Sequence, residues 1–476
     1  MSNMAFCIWS KWCNTSDEKP TNLIEMFTSI VAVFAVILFL WNLKNWGKRV
    51  PPLPPGPRGL PIIGYLPFLG THMPKTFTKL AGIYGPIYKL WLGNKLCVVV
   101  SSPSIAKELV RDQDTIFANR DHPSVAATVL HGGKDIAFLP YGPEWRKLRK
   151  LFVSKMMGNA SLDACYSLRK QEVKKIIRDV YNRSGKAIDI GELSFSASVN
   201  VIQNILWGFT LQGENTANLR EELREFYSEL VIVFGATNIS DIFPVLSRFD
   251  IQGIAKRSKK VSIQFEKIID SAIERSKNIA AIRGGWNNDG KKDFLQILLE
   301  LQEHEDSATS ITMTQLRAML LDIIVGGTDT TTTVLEWTMA ELMNNPKVMK
   351  KAQEELTEVV GIDGSVEEFH LPKLQYLDAV VKETMRLHPP VPLPFPRCPS
   401  QTTIVGGYTI PKGSAIMLNI YSIQRDPQLW DNPLGFRPER FLNNFENFDH
   451  LGNNFQYMPF GSEIEASDCY SNTKTI

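Results

Sequence analysis

From about Ser101 to Gln375, apolar residues recur every three or four positions, in stretches such as Trp145–Met157, Leu219–Phe234, Phe294–Leu301 and Met349–Val360. That period is helical. A body so rich in amphipathic helices must bury one stripe of each against the others, which rules out most β-based architectures. Two β-rich runs between Ile87 and Ser101 flank Gly93-Asn94, a hairpin signal. Short strands between Thr403 and Asn419 are broken by Gly406-Gly407 and Pro411-Lys412-Gly413. The expected fold is mainly α with small β-sheets. No Ser/Gly-rich linker, repeat or low-complexity tract interrupts it, so residues 62–462 read as one large domain. Asp121–Tyr141, rich in small residues, and the polar Arg283–Lys292 read as loops.

Ahead of this body, Leu23–Leu43 carries a single charge, Glu25. At about 1.5 Å per residue it would span roughly 31 Å as a helix, one hydrocarbon core. Lys44, Lys48, Arg49 and Arg58 follow it, whereas Lys11 and Lys19 are balanced by Asp17 and Glu18. The positive-inside rule then places residues 1–22, with Cys7 and Cys13, in the lumen and the body in the cytosol. A cleaved signal peptide is the alternative, but no small-residue cleavage site follows the apolar run. Residues 44–61 form a basic and proline-rich hinge, in which Pro51–Pro61 favours a stiff extended strap over a helix; a simple spacer reads almost as well.

Charge excludes one class of partner. With 52 basic and 50 acidic residues the net charge is +2, which offers no general attraction to nucleic acid. The six cysteines, Cys7, Cys13, Cys97, Cys165, Cys398 and Cys469, lack metal-finger spacing or a dense disulfide framework.

Chemistry concentrates in four places. The helical pattern Thr314–Met343 has Gly326-Gly327-Thr328-Asp329-Thr330-Thr331-Thr332-Thr333 at its centre. Glycine costs about 1 kcal/mol relative to alanine there, and back-bonding hydroxyls can bend the ladder. Either a local distortion opens a groove edged by a carboxylate and a hydroxyl, able to relay protons, or two helices cross closely at the glycines. Glu383 and Arg386 share one helical face just before Pro389-Pro390, and Arg440 stands between aromatic residues in Phe436–Phe441. A carboxylate clamped by two guanidiniums would be a structural lock, although surface Glu/Arg pairs are common. Trp145 and Arg149 lie on one face of a helix entered through Gly142-Pro143. They could both approach an acidic group, or the arginine could simply cover the indole.

Taken in order, these residues resemble a plant microsomal cytochrome P-450, from the apolar segment to Phe460. The resemblance implies the P-450 fold on one transmembrane helix, haem b, and oxygen insertion from O2 into a small lipophilic substrate. Likeness to plant hydroxylases of terpenoids and phenolics suggests a substrate of that class. It further implies electrons from an NADPH-cytochrome reductase and residence in the endoplasmic reticulum membrane. Asp329 and Thr330 match the proton-delivery pair, Glu383, Arg386 and Arg440 the lock, and Trp145, Arg149 and Arg397 the partners of the haem propionates. Asp121–Tyr141 and Val391–Pro396 match pocket segments.

One departure is specific. The family's haem loop reads Pro-Phe-Gly-x-Gly-x-Arg-x-Cys-x-Gly, whereas this chain continues from Pro459-Phe460-Gly461-Ser462 into EIEASDCYSNTKTI. Ser467 stands where the cysteine ligand is expected, and Cys469 lies two positions late. Glu463, Glu465 and Asp468 oppose its ionisation, and only a thiolate pushes electron density onto the iron. Residues 463–476 therefore read as an aberrant polar tail, from a shifted frame, a retained intron or a damaged gene. The P-450 fold is expected to lack its C-terminal portion. Cys469 remains the sole metal-ligand candidate. Three readings stay open: an oxygenase, a catalytically inactive isoform without productive haem, and an unrelated membrane-tethered helical binding protein.

Overall fold

The computed structural model describes residues 28–29, 31–33, 35–36, 52–130, 132–158, 161, 163, 165–208, 216–282, 293–303, 310–442, 448 and 454–461. The chain divides into two units, Met1–Leu53 and Pro54–Ile476. Most of the apolar segment Leu23–Leu43, the luminal residues 1–22, the basic start of the hinge, the loop Arg283–Lys292 and the tail 463–476 lie outside the described residues. The described positions between 28 and 36 are helical and exposed. Among the described residues, no helix is long and apolar enough to cross a membrane.

The second unit is mainly helical. Its principal helices are α1 (Met73–Tyr84), α2 (Ser124–Val129), α3 (Pro143–Lys155), α4 (Tyr166–Asn182), α5 (Ile190–Trp207) and α6 (Thr216–Gly235). They continue with α7 (Ile254–Ile282), α8 (Phe294–Glu303), α9 (Met313–Asn344), α10 (Pro346–Val360) and α11 (Gln375–Leu387). Local chemistry explains several ends. Thr312 and Gln315 form a reciprocal capping box at the start of α9, with bonds of 3.2 and 3.0 Å. Asp189 caps α5, which ends at Gly208 in the left-handed region, φ 71°.

Strands β1 (Ile87–Leu92) and β2 (Lys95–Val100) pair antiparallel around Gly93-Asn94. Gly93 takes φ 57°, the conformation a tight two-residue hairpin asks of a glycine at this position. β3 (Thr403–Val405) and β4 (Tyr408–Ile410) make a second hairpin, while β5 (Ala415–Leu418) runs parallel to β2, Cys97 opposite Ala415. The late strand thus completes the early sheet.

One sequence expectation needs correction, and one pair of alternatives is decided. Asp121–Tyr141 is not loop throughout, because Val125, Ala126 and Val129 bury one face of α2, which packs against α7. The threonine-rich centre of α9 does not break the helix. Thr330 Oγ1 donates to the Gly326 carbonyl at 2.5 Å and Thr332 Oγ1 to Thr328 at 2.9 Å, additional bonds made along a ladder that stays helical from Met313 to Asn344.

α9 is the axis of the main core. Leu316, Met319, Leu320, Ile323 and Ile324 are buried with Val199, Ile202 and Leu206 of α5 and with Val261, Phe265 and Ile269 of α7. The two glycines of α9 do different work. A Cβ on Gly327 would stand 2.5 Å from Ile202 Cδ1, so this glycine admits α5; a Cβ on Gly326 would meet nothing within 4 Å. Opposite signs are therefore expected in chemical denaturation. Gly326→Ala should stabilise by up to about 1 kcal/mol through helix propensity, whereas Gly327→Ala should destabilise by about 1 kcal/mol because Ile202 must be displaced. Equal shifts in both variants would refute this division of roles.

Candidate active site

α11 presents Glu383, which has no exposed surface. Arg386, one turn later and equally buried, meets it with a two-pronged fork: Nε to Oε2 at 2.7 Å and Nη2 to Oε1 at 2.9 Å. Arg440 adds Nε to Oε1 at 3.0 Å, and the Arg437 backbone N–H donates to the same oxygen at 2.8 Å. The remaining guanidinium hydrogens bind the loop that leads back to Arg440. Arg386 Nη1 reaches the carbonyls of Gln424 and Pro433, each at 2.8 Å, and Arg440 Nη1 reaches that of Asp431 at 2.9 Å. Trp430 lies beneath both guanidiniums, at 5.1 and 5.9 Å from its ring centre. Arg440 donates to Glu383 through Nε alone and spends its other donors on backbone.

At the centre of α9, Asp329 is exposed and Thr330 half-buried, beside the open space over Gly326. Desolvation raises the Asp329 carboxyl above its ordinary range. Thr328 instead points inward and donates to Tyr227 of α6 at 3.2 Å.

The two candidate pocket segments meet. Asp121 N–H donates to the Pro396 carbonyl at 2.9 Å, Cys398 N–H to Asn119 at 2.8 Å, and the rings of Phe138 and Phe395 approach edge-on at 4.9 Å. This contact sets Arg397 beside Arg120 in a β-bridge. Arg397 is buried, donates to the Phe117 carbonyl at 3.2 Å and has Asp114 at 3.6 Å. Burial pulls the Arg397 guanidinium down to about 10, against the support of Asp114. Burial and then the like charge of Arg397 lower Arg120 well below the ordinary value, against the support of Asp114. The two desolvated guanidiniums lie side by side with the Asp114 carboxylate near Arg397, an arginine seat with donors that suit an anion. Arg120 was not singled out from the sequence, since nothing in Asn119-Arg120-Asp121 links it to a residue so far along the chain.

Trp145 and Arg149 share a face of α3, with the guanidinium 6.0 Å from the indole centre. The indole N–H donates to the Ile136 carbonyl at 2.9 Å, so Trp145 props the neighbouring loop and does not aim its donor at an anion.

The residues present fit haem on one side only. The arginine seat suits two propionates, and the carboxyl and hydroxyl of α9 suit the face where protons are needed. The thiolate does not fit among the described residues. Burial pushes the Cys97 thiol up to about 12 and raises Cys165 and Cys398 as well, so all three are held as thiols. No cluster of His, Cys, Asp or Glu among the described residues could hold a metal ion. Ser467 and Cys469 lie outside the described residues.

A helical body with this carboxylate lock and this arginine seat defines the class: a haem-monooxygenase scaffold. The chain belongs to the cytochrome P450 family, whose profile matches residues 54–462. It is 38% identical to cytochrome P450 93A3 of Glycine max, the match covering 93% of this chain and 87% of that one. It is 37% identical to a flavonoid 3'-monooxygenase of Petunia hybrida, covering 90% and 84%. A geranylhydroquinone 3''-hydroxylase of Arnebia euchroma is 36% identical, covering 92% and 86%. Among solved structures, a zebra fish cytochrome P450 with progesterone superposes with a TM-score of 0.72 at 25% identity, over 85% of this chain and 90% of that one.

Removing the lock carboxylate strands two guanidiniums. Glu383→Ala is expected to cost about 3–5 kcal/mol, or to abolish recovery of folded protein. Arg386→Lys should fall between it and the native chain, because lysine keeps the charge but not the fork. A Glu383→Ala midpoint within about 1 kcal/mol of the native value would show that the lock is dispensable.

Proposed function

We propose that the body from Pro54 onward is a monooxygenase scaffold for a small lipophilic phenolic or terpenoid metabolite. It would work at the endoplasmic reticulum membrane with O2, haem b and electrons from an NADPH-cytochrome reductase. The observation that carries this reading is the desolvated Arg120–Arg397 pair, set where the two pocket segments join. The names borne by the relatives support the substrate class. When bound, haem supplies the activation of dioxygen. This chain's own part is to orient and to hold protons. Arg120, Arg397 and Arg149 would hold the propionates. Asp329, with its raised carboxyl, keeps a proton to a higher pH than an ordinary aspartate. Thr330 donates its hydroxyl hydrogen to Gly326, so its oxygen acts toward the open space as an acceptor that orients a donor. The aromatic contact of Phe138 with Phe395 supplies apolar wall.

A second reading is favoured by the donor set. Ser467 occupies the ligand position, and the acidic residues Glu463, Glu465 and Asp468 flank Cys469, so the scaffold would persist without productive thiolate ligation. We adopt it for the chain as it stands. An unrelated helical binding protein would place Arg440 far from Glu383, and the observed separation is 3.0 Å.

Purified full-length chain should therefore carry substoichiometric haem and, when reduced under carbon monoxide, show no thiolate-type Soret band. Such a band, or turnover of a phenolic or terpenoid substrate with reductase, would overturn the second reading and support catalysis by this chain. A well-folded chain that neither copurifies with haem nor takes it up would overturn the haem-binding half of the first.

A further inference from the structure

A second pair of acids lies outside the proton-delivery site. Asp322 interrupts the apolar run of α9 two turns before Asp329, and Asp135 has no exposed surface. Asp322 Oδ2 accepts the Ile136 N–H at 2.8 Å, and Asp135 Oδ2 accepts the Phe138 N–H at 3.1 Å. The other oxygen of Asp135, Oδ1, is buried and meets no N–H or O–H donor. What lies within hydrogen-bonding reach of Asp135 is the carboxyl of Asp322. Two desolvated carboxylates cannot stand in contact without a proton between them.

We propose that Asp135 and Asp322 share one proton and form a latch that positions the segment from Asp135 to Tyr141 on the long helix. That segment carries Phe138, which touches Phe395, and the Ile136 carbonyl that seats Trp145. Both aspartates are positioning residues. Burial and then the neighbouring Asp135 raise Asp322 well above the usual range, while burial takes Asp135 up to about 6. Each carboxyl spends one oxygen on a backbone N–H, which leaves the other oxygen of each to share the proton.

Few other charges face the pair. His122, whose ring lies 5.7 Å from that of Phe138, favours the charged form of Asp135. Glu144, at the start of α3, is held by Gln315 Nε2 at 2.7 Å, and Lys134 is exposed. On α9 the flanking positions Ala318, Met319, Val325 and Gly326 carry no charge.

The sign follows from linkage. Both carboxyls bind protons more tightly folded than unfolded. Their stabilisation is full below the ordinary aspartate range and is lost as pH rises through the raised values of the pair. The latch should thus loosen as pH rises from the ordinary aspartate range through about 6 and above.

Amide hydrogen exchange on the full-length chain tests this without requiring haem. Protection of the Ile136 and Phe138 amides, corrected for intrinsic exchange, should fall about tenfold or more across that window. Asp322→Asn imitates the protonated acid: its carbonyl accepts from Ile136 and its amide donates to Asp135. Protection should persist and its pH dependence disappear. Asp135→Asn should also keep the loop in place, its amide donating to Asp322 while its carbonyl accepts from Phe138. The double amide turns two N–H groups toward each other, so it should lose far more protection than the two single variants together. Equal pH slopes in native and Asp322→Asn chains would sink the proposal. So would a double variant as protected as the singles, or failure of Asp322→Asn alone to fold.

Discussion

Glu383 accepts four hydrogen bonds in a place no water reaches, three from guanidinium groups and one from the Arg437 backbone. A carboxylate so placed is stable only because Arg386 and Arg440 surround it, and they in turn are tolerable only because they spend their other donors on Gln424, Pro433, Asp431 and Gly435. The arrangement is strongly conditional: each charge is costly without the others. Its result is that α11 and the chain from Gln424 to Arg440 hold one geometry. Gln424 extends that geometry by accepting from Met458 at 3.1 Å, just before Phe460 and Gly461.

α9 links this frame to the site. Its one face packs on α5, with Gly327 making room for Ile202, while Gly326, Asp329 and Thr330 face space. The same helix carries Asp322 against the loop that supports Phe138 and Trp145. One rigid element therefore sets an acidic group on the open side and a second acidic group against the pocket wall.

Much of this was legible in residue order. The helical period of Phe294–Leu301 and Met349–Val360, the Gly93-Asn94 hairpin and the Glu383–Arg386 spacing all depend on neighbours within one or two turns. Less legible were α2, whose apolar positions are hidden among small residues, and the survival of α9 through its threonines. Glycine and threonine weaken the centre of that helix, and burial against α5 and α7 outweighs the cost. Arg120 carried no signal. A charge inside the apolar run from Leu316 to Val325 could have pointed to Asp322, but its partner could not be guessed.

The amino-acid sequence by itself determined where most helices and the hairpins form, and that residues 463–469 depart from the family's ligand loop, because these are matters of local geometry and residue identity. Tertiary structure alone decided that Arg440 meets Glu383, that Arg397 lies beside Arg120, that β5 joins β2, and that Asp135 faces Asp322. Such pairs are brought together only when helices pack, and a charge changes its proton affinity only once that packing has stripped its water away.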